Sequence, residues 1–201
     1  MSSSGKLPAF APPPTHPRRL LFGLSCTAGL LTLVLTLASA QLPLFDSSPK
    51  VLLPTWTELA SFFGSLRRTL ASAVLRWDAF HFAHIALEGY FYEHEWAFFP
   101  AAPSLMRSLG GLLRSVTDNS DLDLESVLIG GVLGSLLSVH SVLMLYDLTL
   151  ELLRSPNVAL LAALLSLLPS SPVTLRMAGY SEAIFTWCSY SGECRALLRS
   201  S

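Results

Sequence analysis

The sequence predicts an all-α polytopic membrane protein whose transmembrane helices are joined by a loop of amphipathic interfacial helices. Three observations lead there. Only 13% of the 201 residues are charged and 51% are apolar, against roughly 25% charged in soluble domains; mean hydropathy is +0.51. Uncharged runs fill residues 20–40 and 126–146, the second broken only by His140, and about 20 apolar residues suffice to cross the hydrocarbon core. Between them, apolar residues recur at helical rather than strand spacing. The net charge of −1 gives no basis for binding nucleic acid. Neither G-x-x-x-x-G-K-[ST] nor G-x-G-x-x-G occurs, which excludes the usual nucleotide-binding loops. Cys26, Cys188 and Cys194 are too few and too scattered for a disulfide framework.

Residues 1–17, "MSSSGKLPAFAPPPTHP", are rich in Ser and Pro and read as a disordered cytosolic tail. Residues 18–40 form the first transmembrane helix. Ala38-Ser39-Ala40 has the form of a signal-peptidase site, but the apolar run exceeds the ~7–15 residues of a signal core, so an uncleaved anchor fits better. Lys6, Arg18 and Arg19 precede it without any acid, which places the N-terminus in the cytosol. Residues 41–125 then face the lumen or exterior, with six basic against ten acidic residues. Residues 126–146 return as the second transmembrane helix, 147–157 make a cytosolic turn, and 158–192 hold a short third span. Residues 193–201, "ECRALLRSS", are a polar end. Arg176 and Glu182 in the last membrane element must face protein or water.

Within the loop, Thr55 and Glu58 have the spacing of a capping box. Phe63, Leu66, Leu70, Val74 and Trp77 follow at steps of three or four, with Arg67, Arg68 and Ser72 turned away. Such a helix lies flat on a bilayer surface and delivers Asp78 to the membrane–water boundary.

The stretch "RWDAFHFAHIALEGYFYEHEWAFFP", residues 76–100, gathers Asp78, His81, His84, Glu88, Glu93, His94 and Glu95 among aromatic rings. His81, His84 and Glu88 could share a helical face as metal ligands, but the tighter H-E-x-x-H spacing is absent, and no metal is expected. Phe80, Phe82, Tyr90, Phe91, Tyr92, Trp96, Phe98 and Phe99 read as an interfacial belt. That belt leaves unexplained an acid directly after Trp77 and the run Glu93-His94-Glu95 ahead of "AFFP". A carboxylate at this depth suits glycosyl transfer from a lipid-linked sugar. The acceptor hydroxyl must lose a proton as it attacks the anomeric carbon, and a phosphate leaving group needs nearby donors or cations.

This stretch resembles the first luminal loop of the GPI mannosyltransferase 2 family, through W-D, the turn formed by Ile85, Ala86, Gly89 and Tyr90, and the run from Tyr92 to Pro100. A second block, "MAGYSEAIFTWCSYSG", is similar to that family's A-G-Y-S-E luminal motif. The resemblance, from about residue 19 to 192, implies GT-C-like transmembrane helices in the endoplasmic-reticulum membrane. It implies an inverting enzyme using dolichyl-phosphate mannose on the luminal side to add the second, α-1,6-linked mannose to a glycosylphosphatidylinositol precursor. Asp78 would be the catalytic base. Arg76, Trp77, His81, Glu93, His94, Tyr180, Ser181 and Glu182 would bind substrate. Neither cofactor nor metal is implied; partners would be membrane lipid, donor, precursor glycolipid and an accessory membrane subunit. The family continues with further spans after the Y-S-E block, so a C-terminally truncated member is expected, with a non-catalytic fragment or subunit of the same pathway as the alternative.

Overall fold

The first helix has its polarity inside out. In α1 (Pro17–Ser39), the buried side chains are Leu21, Ser25, Thr32 and Thr36, while Phe22, Leu30, Leu31 and Val34 are exposed. Leucines outside and hydroxyls inside suit a helix whose solvent is hydrocarbon, where small and polar residues make the helix contacts. Two of the hydroxyls satisfy themselves within the helix: Thr32 donates to the carbonyl of Ala28 and Thr36 to that of Thr32, both at 2.8 Å. Proline opens the helix at a position whose N–H would lack a partner anyway.

The computed structural model describes residues 14–42, 52–53, 62–76, 78–116, 122–168, 177 and 179–200. After α1 come α2 (Phe62–Val74), α3 (Asp78–Glu88), a 3₁₀ turn (Glu93–Ala97), α4 (Ala101–Val116), α5 (Leu124–Gly134), α6 (Leu137–Leu153), α7 (Pro156–Leu167) and α8 (Glu182–Ser200). Among the described residues there is no strand. The protein is an all-α membrane protein, with two helical stretches long and apolar enough to cross a bilayer, Pro17–Ser39 and Leu124–Leu153.

There are two apolar cores among the described residues. One joins α2, α3, α4 and α5 through Val74, Leu75, Phe82, Met106, Val127 and Leu128. The other joins α1, α6 and α7 through Leu21, Val142, Tyr146, Ala159 and Ala163. Ala159 and Ala163, four residues apart, let α7 approach closely, as small residues do between membrane helices. Arg18 pairs with Asp147 at 3.4 Å beside this second core. α4 packs along α5 more extensively than any other helix pair, and glycine permits it. A Cβ on Gly110 would stand 2.8 Å from the Ser126 carbonyl oxygen, and one on Gly130 would collide with that of Met106.

Several expectations change. The second helical stretch begins at Leu124, two residues early, because Asp123 caps it: its carboxylate accepts the Ser126 N–H at 2.7 Å and Ser126 Oγ accepts the Asp123 N–H at 3.2 Å. The expected turn at 147–157 shrinks to Arg154 and Ser155. α6 continues to Leu153 since nothing breaks it before Ser155-Pro156, and a residue preceding proline avoids the helical region. Arg154 itself takes the left-handed conformation, φ 51°. The polar end is helical to Ser200, as Glu, Arg, Ala and Leu favour once Gly192 is passed. Arg67 does not turn away but reaches α5, pairing with Glu125 at 2.7 Å and lying 3.9 Å from Asp123, which Arg114 holds at 3.2 Å. Phe82 belongs to the core rather than to a belt, whereas Phe91, Trp96 and Phe99 are exposed. The Thr55–Glu58 box, Trp77 and Arg176 lie outside the described residues. The three cysteines are free thiols.

Candidate functional site

Asp78 is the first residue of α3 and is exposed, where an acidic side chain complements the helix macrodipole. The opposite end of α3 is fastened. Gly89, at φ 84°, follows the helix, and its N–H donates to the Ile85 carbonyl at 2.9 Å. Arg107, from α4, donates from one guanidinium nitrogen to the carbonyls of Ala86 and Leu87 at 2.7 and 3.0 Å. A cation on the last carbonyls satisfies groups that the helix leaves open. The helix is therefore held at its C-terminus and presents Asp78 at its start.

The 3₁₀ turn is held against α3 by Glu95, which the sequence grouped with Glu93 and His94 but did not place among the substrate-binding residues. Glu95 is 1% exposed. One carboxylate oxygen accepts the N–H groups of Phe91 and Tyr92, both at 2.9 Å, and the other contacts His84 Nδ1 at 2.5 Å. Burial raises the pKa of Glu95, but the two backbone N–H groups and His84 outweigh it, so the net direction is below the ordinary glutamate value. Fixed from both sides, Glu95 sets where its neighbours Glu93 and His94 project. Both are exposed.

His81, one turn along α3 from Asp78, meets that turn. Its ring stacks on Phe98, with centroids 5.2 Å apart, and stands edge-on to His94 at 5.3 Å. His94 in turn stacks on Tyr92 at 5.6 Å and an interplanar angle of 13°. The Glu93 side chain has no hydrogen-bond or ion-pair partner among the described residues. No group of three or more His, Cys, Asp or Glu among them converges as metal ligands do.

The second motif block docks on the first. Gly179, at φ 71°, comes so close to α5 that a Cβ on it would lie 2.8 Å from Gly131 Cα. This approach carries Tyr180 to α3, where its hydroxyl donates to the Arg76 carbonyl at 3.2 Å and its ring tilts against Phe82 at 6.3 Å. Arg76 is half-buried and its guanidinium contacts the Leu75 carbonyl at 3.1 Å. Ser181 is half-buried, with its carbonyl accepting the Phe185 N–H of α8 at 2.8 Å; Glu182 is exposed in the first turn of that helix.

Tyr180 and Glu182 also line a cleft of about 420 Å³ between α1, α6, α7 and α8. Its wall carries the hydroxyls of Ser25, Thr32, Ser138 and Ser141. Ser25 Oγ is buried and has no hydrogen-bond partner among the described residues. The volume lies within the ~300–1,000 Å³ of small-molecule sites, and the hydroxyls stand among apolar side chains such as Val142, Leu167 and Met177.

Of the residues expected at the site, Asp78, Arg76 and Tyr180 are thus brought together, and His81 meets His94. Glu93 and Ser181 stand apart from any such contact, and Trp77 is not described. His84, Glu95 and Arg107 were missed as site residues. The one available signal was the alternation of Glu93, His94 and Glu95, which cannot tell which carboxylate turns inward.

These features define a helical membrane protein with an exposed carboxylate at the start of α3 and a cleft bearing several hydroxyls among its helices. The chain belongs to the family described as Mannosyltransferase (PIG-V), whose model matches residues 20–200. It is 35% identical over 178 residues to a GPI mannosyltransferase 2 of Cryptococcus neoformans, covering 88% of this chain and 38% of the relative. It is 38% identical over 185 residues to GPI alpha-1,6-mannosyltransferase 2 of Rattus norvegicus, and 35% over 188 residues to that of Homo sapiens. Each of those alignments covers 89% of this chain and 35% of the relative. The chain therefore spans little more than a third of the length of these relatives. No solved structure matches it.

Proposed function

We propose that this chain carries the acid-bearing part of an enzyme that transfers mannose from dolichyl-phosphate mannose to a glycosylphosphatidylinositol precursor, adding the second, α-1,6-linked mannose. The work takes place at the luminal side of the endoplasmic-reticulum membrane, with the N-terminus of the chain in the cytosol. The observation that carries this reading is the contact of Tyr180 with the Arg76 carbonyl, which draws the two family motifs to one place beside an exposed Asp78.

In the reaction, an Asp78 carboxylate oxygen takes the proton of the acceptor hydroxyl as that oxygen attacks the anomeric carbon. The bond from that carbon to the phosphate oxygen breaks, and the prenyl phosphate leaves with the electron pair. A single displacement inverts the β-linked donor to an α-mannoside. Exposed rings on the 3₁₀ turn offer flat apolar surface to sugar and prenyl groups, while the hydroxyl-lined cleft opens the helices to a polar head group.

The test is complementation of cells that lack GPI mannosyltransferase 2, using this chain continued by the C-terminal part of the human relative. Restored surface display of GPI-anchored proteins is expected, and Asp78→Asn should abolish it. Full restoration by Asp78→Asn would remove Asp78 from the mechanism. Failure of the unmodified chimera, with the protein present at normal level, would favour a non-catalytic role for this part.

A further inference from the structure

We infer that His81 and His94 together form a recognition site for a phosphodiester, one helical turn from Asp78. The inference rests on the reading of this protein as a transferase acting on phosphate-linked lipids. Its structural basis is a contrast among the histidines. His84 has Nδ1 engaged by Glu95, and Nδ1 of His140 accepts the Trp187 indole N–H at 2.8 Å. Neither the His81 nor the His94 imidazole has a hydrogen-bond partner among the described residues, although ring contacts hold both.

The hold is by ring faces. Phe98 stacks on His81 with 21° between planes, and Tyr92 stacks on His94 with 13°. Imidazole nitrogens lie on the ring edge, so stacking fixes the ring and leaves its hydrogen-bonding capacity open. The two rings stand 5.3 Å apart and nearly perpendicular. N–H···O bonds of about 2.9 Å from two such rings can reach different oxygens of one tetrahedral anion. The spacing is also protected: Glu95 pins the 3₁₀ turn to α3 by two backbone N–H groups and His84, so His94 cannot drift from His81 without losing three contacts of a buried carboxylate.

A phosphodiester is the anion that the proposed reaction presents at this place. It occurs twice, in the prenyl phosphate of the donor and the inositol phosphate of the acceptor. Both share a singly charged phosphate with two free oxygens, which suits two imidazole donors. Charge-assisted hydrogen bonds from positioned donors to a leaving phosphate favour its departure, while the same contacts to the acceptor would set its register against Asp78.

The experiment measures binding to the full chain in dodecyl maltoside, a detergent without phosphate. Two soluble diesters serve as probes, citronellyl phosphoryl β-mannose for the donor and glycerophosphoinositol for the acceptor, with citronellyl mannoside and free inositol as phosphate-free controls. Imidazole resonances of ¹⁵N-histidine-labelled protein report which rings respond. At least one diester should bind and shift His81 and His94 together, and the controls should not. His94→Asn should weaken that binding at least tenfold; His94 is exposed, so the fold is not at risk, and His81→Asn is the companion variant, checked for unchanged helicity. Preference for one diester identifies the source of the phosphate, and either preference supports the site. Undiminished affinity in His94→Asn, or no binding of either diester to the unmodified chain, overturns it. Because binding is read without transfer, a chain that transfers mannose but ignores both diesters would sink this inference alone. One that binds a diester through His81 and His94 without ever transferring would sink the proposed activity instead.

Discussion

The Tyr180 hydroxyl hydrogen-bonds to the Arg76 carbonyl at 3.2 Å across 104 positions of the chain, two residues before Asp78. The bond ties the start of α8 to the start of α3, and it uses the backbone of Arg76 rather than its cationic side chain. Tyr180→Phe keeps the ring against Phe82 and removes only the donor. The expected cost is about 1 kcal/mol of stability, the usual net value of one hydrogen bond, seen as a lower thermal midpoint in detergent. In the complementation chimera, transfer should fall while expression holds. An unchanged midpoint and unchanged transfer would mean that the contact has no part in the docking.

Gly179 makes that docking sterically feasible. At φ 71°, with Gly131 Cα 2.8 Å from where a Cβ would stand, it meets both a backbone penalty and a collision with backbone that cannot step aside. Gly179→Ala should cost more than about 2 kcal/mol, from left-handed strain together with overpacking. Gly192→Ala is the comparison: nothing lies within 4 Å of its Cβ position and it sits inside α8. That change should be neutral or stabilise by up to about 1 kcal/mol. Thermal unfolding of the two variants side by side decides the matter, and equal effects would contradict the close approach.

Glu95 gives the loop an acid limit. Its folded-state pKa lies below the ordinary value of 4.5, so the carboxylate binds protons more readily when the turn is released. Its stabilising contribution is therefore complete above about pH 4.5 and is lost as pH falls through the lower folded-state value. Fluorescence of Trp96, on the same turn, should report loosening of the turn only under acidic conditions. Glu95→Gln should keep the turn in place, since an amide oxygen can still accept from Phe91 and Tyr92, and should flatten the acid response. Glu95→Ala should release the turn at neutral pH. An acid transition that persists unchanged in Glu95→Gln would assign it to another group.

What the sequence could reveal follows from the range of each interaction. The long apolar helices were legible because a continuous uncharged run of that length favours helix, and the helical stretch Leu124–Leu153 contains the whole of the expected 126–146. Asp78 drew notice as the acid following an amphipathic run, and the structure places it, exposed, at the first residue of α3. The choice between Glu93 and Glu95 was not, since both flank His94 and only the 3₁₀ geometry decides that Glu95 points inward onto two N–H groups. Arg107 was invisible for a different reason: it caps α3 from another helix, 20 and 21 residues away along the chain. Arg67 misled because periodicity marks a polar residue as outward-facing and cannot register a carboxylate partner 58 positions later.

That partner is the basis for the remaining prediction. Arg67 bonds Glu125 through two nitrogens, at 2.8 and 2.7 Å, and the Glu125 side chain is 8% exposed against 31% for Arg67. The pair joins α2 to the start of α5. Removing Arg67 leaves a carboxylate in a nearly dry site, a change that costs about 3–5 kcal/mol when both partners are fully buried. The partial exposure of Arg67 reduces this, so Arg67→Ala should lose about 2 kcal/mol. Glu125→Gln should lose less, because an amide still accepts from the guanidinium and no charge is stranded. Replacing both, as Arg67→Met with Glu125→Leu, should recover most of the loss, since an apolar pair of similar volume avoids desolvation altogether. Thermal midpoints of the three variants in one detergent give the order directly. Should the double variant prove less stable than Arg67→Ala, the pair would be contributing more than the avoidance of a stranded charge. Its hold on α2, and through α2 on Asp78, would then be electrostatic in origin.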